Sequence, residues 1–306
     1  VNKEKAMNAL KKDLKRNYSL YLIFLPTVIF FVIFSYGPMV GLLMAFQNYK
    51  PQLGFFRSPF VGFKHFQDFF QSYYFWRLLK NTFLISFLDL LVGFPLPIIF
   101  ALLLNEVRGK FFKKSIQTIS YMPYFVSMVV VCSLVNQFCS QNGAITQLWS
   151  ITQNEPASLI AQPQFFRAIF VGSNVWQSLG YNSIIYIAAL ASVDQELYEA
   201  AVIDGANRWK QVWHVTLPGM RMIIVLMMVL SLGNVLNAGF DQIFNLYSKA
   251  VYESGDILDT FVYRLGLIDA QYGPATAVGL FKSIISTMFI SVSYWLAYPF
   301  ADYRIF

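Results

Sequence analysis

Long apolar stretches alternate along this chain with shorter polar or aromatic ones. Six stretches, 18–46, 82–104, 116–138, 168–190, 218–240 and 275–297, reach or exceed the ~20 residues that a helix needs to cross a bilayer. The pattern therefore predicts an all-α polytopic membrane protein with six transmembrane helices. Proline marks its irregular points. Pro26 and Pro38 bend the first span, Pro95 and Pro97 kink or interrupt the second, and Pro123 lies near the start of the third. Pro218 opens the fifth, where a first helical turn tolerates it, and Pro299 stops the last. Between the spans, 64–70 reads as an aromatic interfacial helix. Residues 140–168 and 241–272 read as loops, the first carrying Gly143, Pro156 and Pro163; its short apolar piece, 145–151, is far below spanning length.

Composition agrees. The chain is 57% hydrophobic and 13% charged, where a soluble domain carries about 25% charged residues. That argues against a soluble enzyme. The formal charge of +7 forms no stripe of the kind that nucleic acid recognises. It gathers at the flanks of the spans instead. Lys3, Lys5, Lys11, Lys12, Lys15 and Arg16 precede the first span, and Arg108, Lys110, Lys113 and Lys114 separate the second from the third. Basic flanks stay in the cytoplasm, so both termini are expected there. Residues 1–17 form a basic cytoplasmic segment without a cleavage site, and 18–306 form one membrane domain. The loops 140–168 and 241–272 then lie outside, and 192–218 lies inside. Cys132 and Cys139, seven apart, read as packing residues rather than a disulfide. His65 and His214 have no partner set, so no metal site is indicated.

The connection 192–218 has its own internal order. Ser192 and Gln195 have capping-box spacing, which predicts a helix starting there and running to Ile203. Gly205 ends or turns it. Residues 207–214 form a second short helix before Pro218. Ala200 and Ala201 carry almost no side chain, so the first helix can enter a narrow groove on a partner. Glu199, Arg208 and Lys210 supply charges for its edge, and Trp209 and Trp213, four apart, supply anchors for the partner or for the membrane interface.

Polar residues inside spans are costly and normally face protein or water. Asn174, Gln177 and Tyr181 lie three and four apart, which places them on one face of the fourth span, with Trp176 beside them. Asn234, Asn237 and Asp241 repeat the spacing on the fifth. Amides, a hydroxyl and an aromatic in the outer half of a membrane can pair with sugar hydroxyls and stack on a ring. They can equally bond helix to helix. Asp89, deep in the second span, either pairs with a neighbouring helix, lines a wet gap or serves a substrate or proton path.

Residues 199–218, EAAVIDGANRWKQVWHVTLP, resemble the cytoplasmic loop by which ABC importer permeases grip their ATPase. Glu199, Ala200, Ala201, Gly205, Leu217 and Pro218 fall on the family's pattern in register, and Asp204 and Ala206 match its usual wording. Val215 stands where isoleucine is usual and keeps its bulk and branching. More broadly, the chain is similar to carbohydrate-uptake permeases of the type I ABC importer class, and within them to the LplB-like polysaccharide and oligosaccharide group. Leu25-Pro26, Tyr36-Gly37-Pro38, Val61-Gly62-Phe63, Asn81-Thr82, Tyr121-Met122-Pro123 and Gly239-Phe240-Asp241-Gln242 carry that likeness.

The resemblance implies the type I transmembrane-domain fold, with a cytoplasmic coupling helix between the fourth and fifth spans, in a bacterial plasma membrane. It implies a second homologous permease as heterodimer partner, two ATPase domains on the coupling loops, and an extracellular solute-binding lipoprotein that delivers an oligosaccharide. The chain has no G-x-x-x-x-G-K-[ST] loop, so ATP and Mg²⁺ belong to the partner ATPase and no cofactor is expected on this chain. It is expected to be a transport subunit, not an enzyme. An ABC importer permease for a non-sugar solute and, less readily, an ion-coupled secondary transporter are the competing readings.

Overall fold

The computed structural model describes residues 12, 13, 15–151, 158–233 and 235–301, with 296–301 as backbone only. Lys3, Lys5, Lys11, Pro156 and Asn234 lie outside the described residues. Among the described residues the architecture is helical, and an isolated antiparallel bridge joins Gln47 to Phe60. Helix α1, Tyr18–Phe31, holds Pro26 and continues through a π-helical stretch, Val32–Tyr36, and a 3-10 stretch, Gly37–Phe46. The interfacial segment is α2, Lys64–Gln71, which buries Phe69.

The second span is two helices in succession, α3, Tyr74–Gly93, and α4, Pro95–Glu106. They part at Phe94 because Pro95 and Pro97 have no N–H to continue the ladder. The predicted third span is not one helix. It comprises α5, Lys110–Tyr121, a 3-10 turn, Met122–Phe125, and α6, Met128–Cys139, and the segments Lys110–Phe125 and Met128–Ser150 meet at 98°. Pro123 sits in the break, and Ser127 starts α6 afresh by accepting a hydrogen bond from the Val130 N–H at 3.4 Å. Helix α7, Ala144–Ser150, follows.

Helix α8, Pro163–Ala191, organises the bundle. Its first half places Phe166, Phe170 and Val171 in an apolar cluster with Ile85, Cys132, Ile243, Val251 and Ile257. Its last turns place Tyr186, Ala189 and Leu190 in a second cluster with Ile98, Ala101, Val193 and Met220. Between the two, the helix is polar. That middle section keeps α8 from qualifying as a span on composition, although 29 residues suffice in length. Among the described residues, Tyr18–Phe46, Tyr74–Glu106, Arg208–Gly233 and Tyr272–Trp295 are long and apolar enough to cross a membrane, and the bent pair makes up to five.

Beyond α8 come α9, Gln195–Ile203, α10, Arg208–Gln211, and α11, Leu217–Gly233. The predicted fifth span, 218–240, therefore ends early. Residues 235–239 are not helical, Gly239 takes φ +70°, and α12, Phe240–Leu246, begins anew. Helix α13, Leu258–Tyr263, and a π-helical stretch, Arg264–Ile268, lead to α14, Tyr272–Ala301. Pro299 does not stop this last helix, which runs two residues past it.

The 241–272 segment is pinned by ions. Asp256 is fully buried and accepts both guanidinium nitrogens of Arg264 at 2.7 Å, and Arg77 of α3 approaches it at 3.4 Å. Thr260 donates to it at 2.8 Å. Burial works against the Arg264 charge, but its bonds to Asp256 and Tyr247 outweigh this and raise its pKa. Asn81 ties α3 to the carbonyls of Glu253 and Asp256, and Arg167 of α8 donates to the Asn81 side-chain oxygen at 2.8 Å.

Candidate coupling loop and translocation path

The 192–218 connection folds as a helix–turn–helix. Its first helix is capped by Asp194, which accepts from the Glu196 N–H at 3.0 Å, and not by Ser192, whose hydroxyl bonds back to Ala189. The helix closes with a Schellman motif: Ala206 N–H donates to Ala201 C=O and Gly205 N–H to Val202 C=O. Gly205 takes φ +75°. A side chain there would meet nothing within 4 Å, so the backbone angle, not space, calls for glycine. Asn207 then caps α10 by accepting from the Lys210 N–H at 2.9 Å. A π-helical stretch, Val212–Thr216, continues it. That wider turn falls where the Pro218 ring would otherwise press on the His214 carbonyl four residues back.

Two bonds fold the connection on itself. Gln211 donates to the Ala206 carbonyl, and the Tyr198 and Thr216 hydroxyls meet at 3.0 Å. Leu217 packs on the second apolar cluster. Pro218 is exposed, and Gly219, unremarked in the sequence pattern, lets α11 approach Val193 to within 2.9 Å of where a Cβ would stand. The outward surface is apolar with charged edges. Glu199, Ala200, Asp204, Ile203, Trp209 and Trp213 are exposed, and Ala201 is half-buried. A groove of about 600 Å³ runs between this connection and the end of α4, lined by Glu106, Tyr198, Glu199 and Arg208. Arg208 faces Glu106 across it at 3.8 Å.

The polar middle of α8 sends its side chains three ways. Asn174 donates to Asp89 at 2.7 Å. Gln177 is buried and donates to the Val126 carbonyl at 3.0 Å, in the break between α5 and α6. Tyr181 stacks face to face on Tyr124, centroids 3.7 Å apart. Trp176 is half exposed, at the rim of an apolar crevice. Asn174, with Asp89, Ser178 and Asn182, lines a cavity of about 370 Å³ between α3, α8 and α11.

The second polar set does not share a helical face. Asn234 lies outside the described residues, Asn237 sits in the unwound stretch, and Asp241 is in the first turn of α12. The reason is the glycine-terminated break, which the apolar continuity of 218–240 concealed. Asn237 borders both the 370 Å³ cavity and a wider one of about 790 Å³ lined by Phe240, Tyr263 and Tyr272. There Lys282 of α14 donates to Asn237 at 2.9 Å and to both Asp259 oxygens at 2.7 Å. The spacing of polar residues in the spans singles out neither Lys282 nor Asp259. A lone lysine within an apolar span was the available signal for the first.

Residues 93–298 match the family described as binding-protein-dependent transport system inner membrane component. The chain belongs to this family. It is 42% identical to protein LplB of Bacillus subtilis (strain 168) over 294 residues, 96% of this chain and 92% of that one. It is 40% identical over 305 residues to the polygalacturonan/rhamnogalacturonan transport system permease protein YteP of the same organism, covering 99% and 95%. Among solved structures it matches a chain of a bacterial alginate ABC transporter, crystallised with an alginate pentasaccharide-bound periplasmic protein. The TM-score is 0.88 at 40% identity, over 96% of this chain and 99% of that one. The fold is that of a type I ABC importer permease.

Proposed function

We propose that this chain is the permease subunit of an ATP-driven importer of oligosaccharides or polysaccharide fragments. The observation that carries the reading is likeness over nearly the whole length. The permease of a polygalacturonan/rhamnogalacturonan system covers 99% of the chain, and an alginate transporter chain overlays 96% of it. Members of the inner-membrane-component family are transport parts, which supports a non-catalytic role here. In this reading α8 is the fourth of six spans. Its polar middle is tolerated in the membrane because α3, α5 and α11 cover it.

The helix–turn–helix at 195–211 is the ATPase-coupling element, with Glu199, Ala200, Ala201, Asp204, Gly205, Ala206, Leu217 and Pro218 shaping it. A nucleotide-driven movement of the ATPase is passed through its exposed apolar surface to α8 and α11, which the Leu217 and Val193 contacts join. Asn174, Trp176, Gln177, Tyr181, Asn234, Asn237 and Asp241 belong to the path or its walls. Asn237, with Lys282 and the rings of Phe240 and Tyr263, offers the amide, charge and aromatic mixture that a sugar uses. A second homologous permease completes the path, two ATPase domains use ATP and Mg²⁺ below, and a binding lipoprotein delivers the glycan from outside.

The test is uptake by the assembled complex in proteoliposomes, with ATP inside and a panel of neutral and uronate-containing oligosaccharides outside. Import of one or more glycans that depends on ATP and on the binding protein is the expected result. ATP-driven import of a peptide or phosphate instead, with no response to any glycan, overturns the cargo assignment.

A further inference from the structure

The cavity beside Asp89 shares Asn174 and Asn237 with the proposed path, but its carboxylate has no role there. It is about 370 Å³, room for about a dozen waters at ~30 Å³ each, and it lies between α3, α8 and α11, with Asn182 and Asn237 on its exposed side. Its polar groups are oxygen-rich: the Asp89 carboxylate, the Asn174 and Asn182 amides, and the hydroxyls of Ser178, Ser231 and Tyr186. Among the described residues, no lysine, arginine or histidine lines it. The Asp89 carboxylate has an amide partner, Asn174, at 2.7 Å, and no ion pair is formed by it among the described residues. Lys282 reaches Asn237 from the neighbouring cavity, but there Asp259 holds its ammonium with both oxygens.

The last turn of α11 borders the same space through Ser231, while its Leu232 carbonyl accepts from the Val235 N–H. Helix α11 ends at Gly233, and the residues around that end, Ser231 and Val235, line the cavity. The unwound stretch that follows, through Ala238 and Gly239, lines it as well. Independently, the Ser86 hydroxyl at the same wall is buried without a hydrogen-bond partner. A carboxylate among neutral oxygens, without a balancing cation, is costly within a bilayer. Unwound backbone beside an intramembrane carboxylate is also the arrangement in which small cations are held between broken helices.

We propose that this cavity binds a monovalent cation, Na⁺ or K⁺, which bridges Asp89 on α3 to α8 and to the broken end of α11. One carboxylate among neutral oxygens matches a single positive charge; a divalent ion would call for further anionic ligands. The ion fixes the break beside Asn237 and so couples the inner cavity to the wall of the translocation path.

The experiment uses the protein purified with the subunits that accompany it, in nanodiscs, and makes no use of transport. The thermal unfolding midpoint is followed while choline chloride is replaced by NaCl or KCl at constant ionic strength. The wild type should be stabilised saturably by one alkali ion and not by choline. Asp89→Asn should weaken that ion's half-saturation by roughly tenfold or more, and Asn182→Ala should weaken it in the same direction. A wild-type midpoint that is the same in NaCl, KCl and choline chloride overturns the proposal. So does stability that follows pH through Asp89 with no response to either ion, which would make the ligand a proton. Should Asp89→Asn not assemble, the wild-type titration and Asn182→Ala decide the matter, and an unchanged half-saturation in Asn182→Ala counts against the site.

Discussion

At the scale of single residues, two glycines make opposite demands. Gly205 stands in open space but at φ +75°. A non-glycine residue in the left-handed region costs about 1–2 kcal/mol. Gly205→Ala should therefore loosen the turn between α9 and α10, and Gly205→Val should do so further. Gly205→Asn should retain more function, because asparagine tolerates that conformation. Substrate-stimulated ATPase and uptake of the assembled complex should fall in the order Gly, Asn, Ala, Val; equal activity in all four would remove the turn from the coupling mechanism. Gly180 has ordinary helical angles, yet a Cβ there would run into the Ser120 backbone carbonyl, while one at Gly172 on the same helix meets nothing within 4 Å. Gly180→Ala should cost about 1–3 kcal/mol through overpacking between α8 and α5. Gly172→Ala should be neutral or slightly stabilising, since alanine favours helix. Thermal unfolding of the two variants side by side checks the contrast.

At the scale of elements, two ionic ties hold segments that the apolar pattern leaves undefined. Asp256 fastens the 241–272 segment to α3 from a fully buried position. Removing one partner of a buried pair costs about 3–5 kcal/mol, because the other charge is stranded. Asp256→Ala should thus lower the unfolding midpoint of the assembled protein markedly, and a midpoint within experimental error of wild type would show the pair to be dispensable. Lys282 ties α14 to α13 through Asp259 and to the break through Asn237. Lys282→Met should strand Asp259 and remove the tie to Asn237, lowering uptake more than assembly. The charge-swapped pair Lys282→Asp with Asp259→Lys should recover part of it if the tie, and not the position of the ammonium, is what matters. Recovery of assembly without uptake would instead assign the ammonium to the path.

At the scale of the whole molecule, the orientation read from the basic flanks is open to direct labelling. Gly143 and Gly255 are poor sites for a reporter, because a Cβ would meet the Phe138 carbonyl at the first and the Phe166 ring at the second. Asn142 and Lys249 are exposed neighbours, and Gly109 is exposed beside the basic run 108–114. In a background lacking Cys132 and Cys139, cysteines at 142 and 249 should react with an impermeant thiol reagent from outside intact cells, and one at 109 only after permeabilisation. The reverse labelling would invert the assignment and move the 195–211 helices out of reach of a cytoplasmic ATPase.

Much of this protein is legible in its sequence because two of its determinants are local. Spanning helices announce themselves by apolar length, since the backbone must satisfy itself in lipid, and so 18–46 and the interfacial helix near 64–70 appear where the pattern puts them. The 199–218 connection announces itself by spacing, because Gly205 fixes a backbone angle and Asn207 a cap within a few residues of each other. What the sequence does not determine is where an apolar run stops being helical. Pro123 and Ser127 break the third span, and Gly239 follows a break in the fifth, yet hydrophobicity runs on through both. Only packing decides the partners of the polar residues. Asn174, Gln177 and Tyr181 share a spacing, but their surroundings differ: a carboxylate on α3, the backbone carbonyl of Val126, and the ring of Tyr124. Residues far apart in the chain, Asp259 with Lys282 and Arg77 with Asp256, become neighbours only once the helices are assembled. A buried charge settles on whichever partner the fold brings within about 3 Å.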